Sequence, residues 1–526
     1  MASDYDVIII GSGPGGGTTA QALAKTGKKI LLIERGDYLI RSRDNWDTGQ
    51  VFGANRYQAD ETWYDDKDKP FTPGLHYFVG GNSKMYGAAL FRLRECDFGE
   101  IEHEDGLSPA WPVGYDTFEP YYQQAEELFH VHGRRGEDPT APPAPKPYAY
   151  DAVEHEPRIA QLAQDLSAEG YNPFHLPVGV LLDEKNLQPL PHSPCIRCDR
   201  FDGYPCPTNG KADAQVMCVD PALRDYPNLT LMTNTYVTRL ITDASGGAIK
   251  EVEIETGGET RTLSADIFVV ACGALSSALL FLRSACETHP DGLANQSGQV
   301  GRNYMRHNNS VVLALSKSEN PTRFQKTLGL NDFYRAPKDG GKGDWDFPLG
   351  HIQMVGKSDG EQIEAEGLPA SMQWISQKPF DWIAKHSIDF WLQSEDLPLP
   401  QNRIYYDGDK VRLDLTLTNQ EAHRRLRQKL RDLCDKTDIH PHLFDRKLYF
   451  GHNIPIGGTA HQSGTMRFGN DPMNSVLNED CKPHELDNVY VTDASFFPSI
   501  GAVNPTLTII ANALRVADVI TQRIVA

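Results

Sequence analysis

The chain has 526 residues, of which 40% are hydrophobic and 23% are charged, and its formal net charge is −20. This length exceeds what one hydrophobic core supports, so we expect two domains. The negative charge argues against nucleic acid and against an anionic membrane surface as partners. No apolar run reaches the roughly 18 residues that a membrane span needs.

The N-terminus and the cysteines bear on the cellular compartment. Residues 1–6 are polar and lead directly into an apolar run, which leaves no room for a signal peptide. Nine cysteines in a chain of this length are too few for a disulfide framework, and their odd number suits reduced thiols. We therefore expect a cytoplasmic protein.

Residues 5–35 contain a dinucleotide-binding fingerprint. Residues 7–10 form an apolar, β-branched run, typical of a strand buried on both faces of a parallel sheet. Gly11, Gly13 and Gly16 follow in G-x-G-x-x-G spacing. The first glycine permits a sharp turn, the second admits a pyrophosphate, and the third lets a helix pack on the strand.

The elements after these glycines support the same assignment. We predict a helix over residues 18–25 and a second strand over residues 29–33. Glu34 ends that strand about 20 residues beyond the glycines, where a carboxylate accepts hydrogen bonds from ribose hydroxyls. The alternative, a mere glycine turn, explains neither flanking strand nor the acidic residue. The fingerprint does not decide between FAD and NAD.

A second glycine-rich segment, GGNSKMYGAALFR, occupies residues 80–92 after an irregular polar and aromatic stretch. Its small residues would let backbone lie against a flat ligand. Asn82, Ser83 and Tyr86 would offer hydrogen bonds to ring heteroatoms. A glycine-rich surface loop is the alternative.

The middle of the chain contains weaker signals. Cys195 and Cys198 have a C-x2-C spacing, with Cys206 and Cys218 further on. A second pair of close ligands is missing, so we expect reduced thiols and leave zinc as the alternative. Residues 229–240 and 250–255 alternate and are β-branched, and we predict that together they form a small antiparallel meander.

Two further regions of regular structure follow. Residues 266–271 predict a buried strand, and the apolar helix after it, residues 276–282, would complete a second strand-turn-helix unit on the same dinucleotide. Residues 305–450 contain short alternating runs, which indicate an antiparallel sheet with helices, including an amphipathic helix over residues 421–436.

Some aromatic and histidine residues in this region allow two interpretations. Trp374 and Trp391 could form a platform for a sugar, or they could be packing residues. His440 and His442 flank a proline and are more simply surface residues than metal ligands. We predict no metal site.

The C-terminal segment places His461 among small residues, in GGTAHQSGT. We predict a strand over residues 488–491 and a helix over residues 506–523. Asn504 precedes that helix, and Pro505 stands at its first turn, where a missing N–H costs nothing. An ordinary helix cap is the alternative function of Asn504.

These blocks, in this order and at these distances, resemble the glucose-methanol-choline (GMC) family of FAD-dependent alcohol oxidoreductases, and within it bacterial pyranose oxidases and glycoside 3-oxidases. The resemblance implies an α/β fold: a Rossmann-like FAD domain, similar to that of p-hydroxybenzoate hydroxylase, and an α+β substrate domain built on an antiparallel sheet. We expect the FAD domain to comprise residues 1–100, 190–305 and 452–526, and the substrate domain residues 101–189 and 306–451.

The resemblance also implies how the cofactor is held. Some pyranose oxidases carry a histidine in the second glycine segment that bonds covalently to the flavin, and Met85 stands there in this chain. A thioether cannot form that bond, so non-covalent FAD is implied. The residues expected to contact FAD are Gly11, Ser12, Gly13, Gly16, Glu34, Arg35, Gly81, Asn82, Met85, Tyr86, Gly87, Ala88, Val237, Ala271, Asp493, Asn504, Pro505 and Thr506.

His461 and Asn504 match the catalytic pair of the family. A neutral imidazole, with a pKa of about 6.5, can take the hydroxyl proton, whereas an amide can only donate a hydrogen bond to the developing alkoxide. The positive end of the helix after Asn504 would face the flavin N1–C2=O edge.

The resemblance implies oxidation of CH–OH to C=O, with a secondary hydroxyl of a sugar or glycoside as substrate and a 2-keto or 3-keto product. Oxygen, a quinone or an artificial acceptor would take the electrons. The alternatives are another alcohol, such as a sterol, gluconate or an aryl alcohol, and a lyase with a structural flavin. A redox-inactive binding protein is a further alternative.

Overall fold

We describe a computed structural model in which residues 3–335, 345–367, 378–437, 439–445 and 461–525 are placed. Trp374 and residues 457–460 of the C-terminal glycine segment lie outside these described residues. The side chains of His440 and His442 do as well.

The helices of the described residues, α1 to α9 in chain order, are Pro14–Ala24, Tyr115–Leu128, Pro157–Ala168, Asp220–Asp225, Ala274–Arg283, Gly360–Gly367, Lys378–His386, Gln420–Lys436 and Thr506–Val525. Among the described residues, none of these helices is both long enough and apolar enough to cross a membrane.

The strands of the described residues, β1 to β26 in chain order, are Tyr5–Ile10, Ile30–Ile33, Trp63–Asp65, Pro70–Phe71, Ile101–His103, Gly106–Ser108, Val131–Gly133, Tyr150–Asp151, Pro173–His175, Val178–Gly179, Glu184–Lys185, Gln188–Pro189, Leu229–Met232, Thr235–Thr242, Ile249–Thr256, Glu259–Val270, Met305–Arg306, Asn308–Ser316, Leu328–Leu330, His351–Met354, Ser387–Ser394, Arg403–Asp407, Lys410–Asp414, Ile439–Asp445, Gln462–Ser463 and Val489–Val491.

The first large sheet has seven strands, in the order β13-β2-β1-β16-β15-β14, with β26 beside β16. Strands β13, β2, β1, β16 and β26 run parallel to one another, and the apolar side chains of β1 and β2 are fully buried. The carboxyl ends of these parallel strands share one edge, which is where a doubly wound sheet binds its ligand. The α/β fold with a Rossmann-like domain is confirmed.

Helix α1 begins earlier than the apolar pattern predicts. The pattern indicates residues 18–25, but the helix runs from Pro14 to Ala24 with Gly13 as its extended N-cap. Proline fits the first helical position because its missing N–H would have no partner there. The glycines of the first turn have weak helix propensity, which conceals this start in the sequence.

The predicted meander also differs in detail. Leu229–Met232 pairs in parallel with β2, and the meander itself consists of β14, β15 and the first half of β16. The division falls at Asn234, whose left-handed φ of 49° turns the chain between β13 and β14. One alternating run therefore supplies strands to both parts of the sheet.

The second large sheet is antiparallel, in the order β24-β18-β21-β20-β19-β9. Helices α3 and α8 cover one face with leucine and isoleucine side chains that pack on Val312, Ala314 and their neighbours. Because side chains alternate along a strand, the residues between these apolar ones point away from the helices. That opposite face forms one wall of the cavity described next.

Candidate active site

A cavity of about 1040 Å³ is lined by residues of both large sheets. The glycine fingerprint, the second glycine segment and the C-terminal segment all contribute to its wall. Every residue that the sequence assigns to the cofactor or to catalysis lies on this wall, with the exception of Gly16. The structure therefore brings together residues that are up to 495 positions apart in the sequence, from Gly11 to Thr506.

The fingerprint glycines leave room for phosphates at the start of α1. A Cβ atom at Gly13 would meet only the Cα atom of Gly81, 3.9 Å away, so the space in front of Gly13 is open. A Cβ atom at Gly16 would instead overlap the carbonyl oxygen of Gly11, because α1 packs directly on the turn. The free N–H groups at the start of α1 can then bind an anion in that space.

Glu34 and Arg35 line the cavity beside the fingerprint glycines. The Glu34 carboxylate accepts hydrogen bonds from the Ser12 N–H at 3.1 Å, the Ser12 hydroxyl at 2.6 Å and the Gly36 N–H at 3.0 Å. Burial raises the pKa of Glu34, and these hydrogen bonds oppose the rise. The Arg35 guanidinium lies between the rings of Tyr77 and Tyr236, 4.2 and 4.3 Å from their centres.

In the second glycine segment, the polar side chains expected to bind a ligand form hydrogen bonds to protein backbone groups instead. The Asn82 amide binds the Gly74 carbonyl and the His76 N–H, and the Ser83 hydroxyl donates to the Gly80 carbonyl. The Tyr86 hydroxyl donates to the Ala212 carbonyl. These side chains hold the loop in shape, so backbone and ring surfaces are what the loop offers to a flat ligand.

Met85, Gly87 and Ala88 complete this wall. Met85 is 7% exposed and contributes its thioether to the cavity surface. A Cβ atom at Gly87 would overlap the Asp202 carboxylate and the Lys326 ammonium group, which form an ion pair there. The close approach of this pair explains why residue 87 is a glycine.

Denaturing the holoprotein tests the role of Met85. Acid or heat precipitation should release intact FAD into the supernatant, because a thioether forms no covalent bond to the flavin. The absorbance and mass of the released flavin measure this result. Yellow colour that remains in the washed pellet would contradict non-covalent binding.

Asp493 ties two loops together at the carboxyl edge of the parallel sheet. It accepts hydrogen bonds from the Ser495 N–H at 2.9 Å and from the Gly273 N–H at 3.0 Å. The Ser277 hydroxyl also donates to it. This carboxylate thereby joins the end of β26 to the start of α5, and Val237 and Ala271 lie on the same wall.

His461 and Asn504 lie next to each other on the cavity wall. Asn504 Nδ2 lies 3.5 Å from His461 Nε2, and Asn504 Oδ1 has no partner among the described residues. Burial, together with nearby His307 and Lys326, keeps the pKa of His461 well below its usual value. A neutral imidazole is thus available as a proton acceptor.

A third residue, His307, was missed in the sequence. Its Nδ1 lies 2.9 Å from His461 Nδ1, and its Nε2 lies 3.0 Å from the Gly501 carbonyl oxygen. Strand β17 ends at Arg306 and pairs with β25, which begins at Gln462, so the pairing places residues 307 and 461 side by side. A two-residue strand pair leaves no periodicity that could have revealed this contact.

The antiparallel sheet supplies the opposite wall. Asn309, Gln353 and Trp391, from β18, β20 and β21, line the cavity, and Gln353 pairs directly with Trp391 in the sheet. The side-chain oxygen of Asn309 is buried and has no hydrogen-bond partner within the described ranges, whereas the Gln353 side chain interacts with His351. The Asn309 acceptor can therefore bind a donor group of a ligand.

The cysteine cluster has no visible part in this site. Cys195, Cys198 and Cys206 are free thiols, and none of them lines the cavity. In the part of the chain that is described, no group of three or more His, Cys, Asp or Glu side chains could hold a metal ion.

Comparison with known proteins places this geometry in a family. Residues 191–309 and 410–513 match the two GMC oxidoreductase domains, and residues 9–86 match an NAD(P)-binding Rossmann-like domain. The chain is 30% identical over 542 residues to paromamine 6'-oxidase of Streptomyces fradiae, which covers 99% of this chain and 92% of that protein. It is 29% identical over 550 residues to 6'''-hydroxyparomomycin C oxidase of Streptomyces lividus, with the same coverage.

A solved structure supports the same fold. Formate oxidase superimposes with a TM-score of 0.67 at 15% identity and covers 99% of both chains. Similarity at this identity establishes the architecture, and the sequence relatives establish the family. The chain belongs to the GMC oxidoreductase family, and it is an FAD-dependent enzyme that oxidises CH–OH donors.

Proposed function

We propose that the enzyme oxidises a hydroxyl group of a sugar or glycoside, with His461 as the base and Asn504 as the hydrogen-bond donor to the reacting oxygen. The observation that carries this proposal is the polar wall opposite the cofactor residues. Asn309 presents a buried, unpaired oxygen there, beside the amide of Gln353. A substrate that offers no hydrogen-bond donor would leave the Asn309 oxygen desolvated and unpaired, which costs about 1–3 kcal/mol.

Trp391 adds an aromatic surface to this wall. Its Nε1–H donates to Gln393 Oε1 at 2.8 Å, and the Gln393 amide in turn donates to the Ala502 carbonyl at 3.2 Å. These bonds fix the indole, and the C–H faces of a sugar ring can pack on such a surface. Gln393 thereby connects the cavity wall that contains Trp391 to the loop that precedes Asn504.

The chemistry divides between the cofactor and the side chains. Bound FAD supplies the acceptor for the hydride that leaves carbon. His461 takes the proton of the hydroxyl group, and the Asn504 amide donates a hydrogen bond to the oxygen as negative charge develops. The start of α9, directly after Pro505, presents free N–H groups to the same cavity.

Relatives support a sugar-like substrate in general. Homologues act on hydroxyls of aminoglycosides or sugars. The secondary hydroxyl, the 2-keto or 3-keto product, the likeness to pyranose oxidases and glycoside 3-oxidases, and the use of oxygen or a quinone remain predictions.

We also propose the domain division given by the sequence. Strands of the parallel sheet fall within residues 1–100, 190–305 and 452–526, and those of the six-stranded sheet within residues 101–189 and 306–451. One four-stranded sheet joins β3 and β4 of the first part to β22 and β23 of the second. This shared sheet supports two domains that are connected along the cavity.

An anaerobic substrate screen tests the function. Sugars and glycosides should bleach the flavin absorbance, whereas sterols, choline and aryl alcohols should do so at least about tenfold more slowly, the effect of one unpaired buried acceptor. Bleaching by an apolar alcohol alone would overturn the sugar assignment. A flavin that no alcohol reduces would favour a lyase with a structural cofactor.

A substitution on the polar wall tests whether this wall binds the substrate. Asn309→Leu keeps the branched side-chain shape but removes the unpaired oxygen, so kcat/KM for the best sugar should fall by about 10- to 100-fold. The flavin spectrum should stay unchanged, because residue 309 lies on the wall opposite the cofactor residues. An unaltered kcat/KM would show that this oxygen does not bind the substrate.

A further inference from the structure

The contact between His307 and His461 goes beyond the expected catalytic pair. The two ring planes are 85° apart, with centres separated by 5.0 Å, and the rings meet through their Nδ1 atoms. His307 is 1% exposed and has the Gly501 carbonyl oxygen at its other nitrogen. The two imidazoles thus form a short hydrogen-bonded chain that ends at a group able only to accept.

The positions of the N–H hydrogens on His307 and His461 can be deduced from the groups that these two rings contact. A carbonyl oxygen only accepts, so His307 Nε2 carries a hydrogen. Burial lowers the pKa of His307 to about 4, so the ring is neutral and its Nδ1 has a lone pair. His461 must then donate from Nδ1, because one of the two facing nitrogens has to carry the hydrogen.

The remaining nitrogen of His461 is therefore the basic one. A neutral imidazole with a hydrogen on Nδ1 has its lone pair on Nε2. That atom faces the Asn504 amide nitrogen, 3.5 Å away, on the cavity wall. The opposite tautomer would place a hydrogen on Nε2, and this nitrogen could then accept no proton.

We propose that His307 is a positioning residue that fixes the Nδ1–H tautomer of His461 and so directs the basic lone pair of Nε2 to the substrate. The inference rests on the proposed role of His461 as the base. In the proton transfer, the substrate O–H bond breaks and an Nε2–H bond forms, while the Nδ1–H bond to His307 persists. His307 itself accepts no proton from the substrate.

The surroundings hold His307 in place. Glu395 accepts hydrogen bonds from the Gly501 N–H at 3.2 Å, from His103 Nε2 at 3.1 Å and from the Ser108 hydroxyl at 2.7 Å. This buried carboxylate fixes the loop whose carbonyl receives the His307 hydrogen. Among the described residues, the charge of Glu395 acts to raise the pKa of His307, and the charge of Lys326 acts to lower the pKa of His461.

Two substitutions distinguish the roles of the two ring nitrogens of His307. An asparagine side chain reaches the position of Nδ1 and can offer an oxygen as acceptor, whereas a glutamine reaches the position of Nε2 and can donate to Gly501. His307→Gln therefore removes the acceptor for His461, and His307→Asn keeps it. His423→Gln is the matched control, since His423 is a buried histidine of the same domain that binds Ser310 and Ser394.

Nitrogen NMR of the FAD-loaded protein, labelled with ¹⁵N-histidine, measures the tautomer. Protonated and bare ring nitrogens have separate chemical shifts, and the His461 signals are those absent from the His461→Ala spectrum. The parent and His307→Asn should show a protonated Nδ1, and His307→Gln should show hydrogen on Nε2. His423→Gln should leave the His461 signals unchanged.

Anaerobic flavin reduction gives the second readout. His307→Gln should slow it by about tenfold, the effect of one lost hydrogen bond, and His307→Asn should restore it to within about threefold of the parent. A protonated Nε2 in the parent, or an unchanged tautomer in His307→Gln, would overturn the proposal. If no sugar reduces the flavin but the tautomer changes as described, the positioning role stands and the sugar assignment fails.

Discussion

His461→Ala should slow anaerobic flavin reduction by on the order of 10²–10⁴, the usual contribution of a general base. The bound flavin should keep its visible spectrum, because His461 is one of many residues on the cavity wall. Stopped-flow absorbance with the best substrate of the screen measures the rate. A loss below about threefold would show that another group takes the proton.

The pH dependence identifies the role of the residue. Because the pKa of His461 lies well below its usual value, the parent enzyme should remain active below pH 6.5, the usual imidazole pKa, and lose rate only as pH falls through the lowered pKa. In His461→Ala this acid limb should vanish, and the slow residual rate should rise with pH as the alkoxide forms unaided. An acid limb that persists would contradict the assignment.

Acid unfolding must be separated from this effect. His307 has a pKa of about 4 in the folded protein, lowered mainly by burial, so between pH 6.5 and 4 the unfolded chain binds a proton that the folded chain rejects. Stability therefore falls as pH decreases through this window. Far-UV circular dichroism at each pH shows whether a lost rate reflects the base or the fold.

Asn504→Ala is the matched variant. It removes a hydrogen-bond donor and leaves the base in place, so reduction should slow while the acid limb persists at nearly the same pH. The structure makes an ordinary cap an insufficient explanation of Asn504, since its amide faces His461 and its oxygen has no partner among the described residues. The two variants together distinguish proton transfer from alkoxide stabilisation.

Local sequence was sufficient for much of the fold. The first strand, the glycine turn and the second strand form a contiguous unit, so their periodicity and spacing predict the parallel sheet directly. The pairing of residues 229–240 could not be predicted in the same way, because an alternating pattern predicts a strand but does not identify the strand that it pairs with. Pairing of Leu229–Met232 with β2 depends on the turn at Asn234 and on contacts about 200 residues away.

In the candidate site, too, contacts between residues that are distant in the sequence could not be predicted. His461 and Asn504 lie in segments with recognisable family patterns, and the structure brings them together. No site residue was assigned from the sequence around His307, because its contact with His461 depends on the pairing of Arg306 with Gln462, which are distant in the chain. The hydrogen-bonding partners of Asn82 and Tyr86 were also beyond sequence reasoning, since these are backbone groups of Gly74, His76 and Ala212.

Gly13→Ala should abolish FAD retention and leave the apoprotein folded. A Cβ atom at residue 13 meets only Gly81 Cα at 3.9 Å, which is an ordinary van der Waals contact. The methyl group would instead occupy the space in front of the first turn of α1, where the pyrophosphate is expected to bind. We expect FAD affinity to fall by at least on the order of 10², since overpacking alone costs about 1–3 kcal/mol and the phosphate contacts are lost as well.

Two further glycines make this test specific. At Gly16 a Cβ atom would overlap the Gly11 carbonyl oxygen, so Gly16→Ala should destabilise the apoprotein itself. At Gly114 nothing lies within 4 Å, so Gly114→Ala should leave FAD affinity unchanged and lower stability by no more than about 1 kcal/mol, because this residue caps α2. FAD titration by fluorescence quenching and thermal unfolding of each apoprotein separate the two effects. If Gly13→Ala bound FAD as tightly as the parent, the pyrophosphate could not lie against residue 13, and the space before α1 would serve another ligand or none.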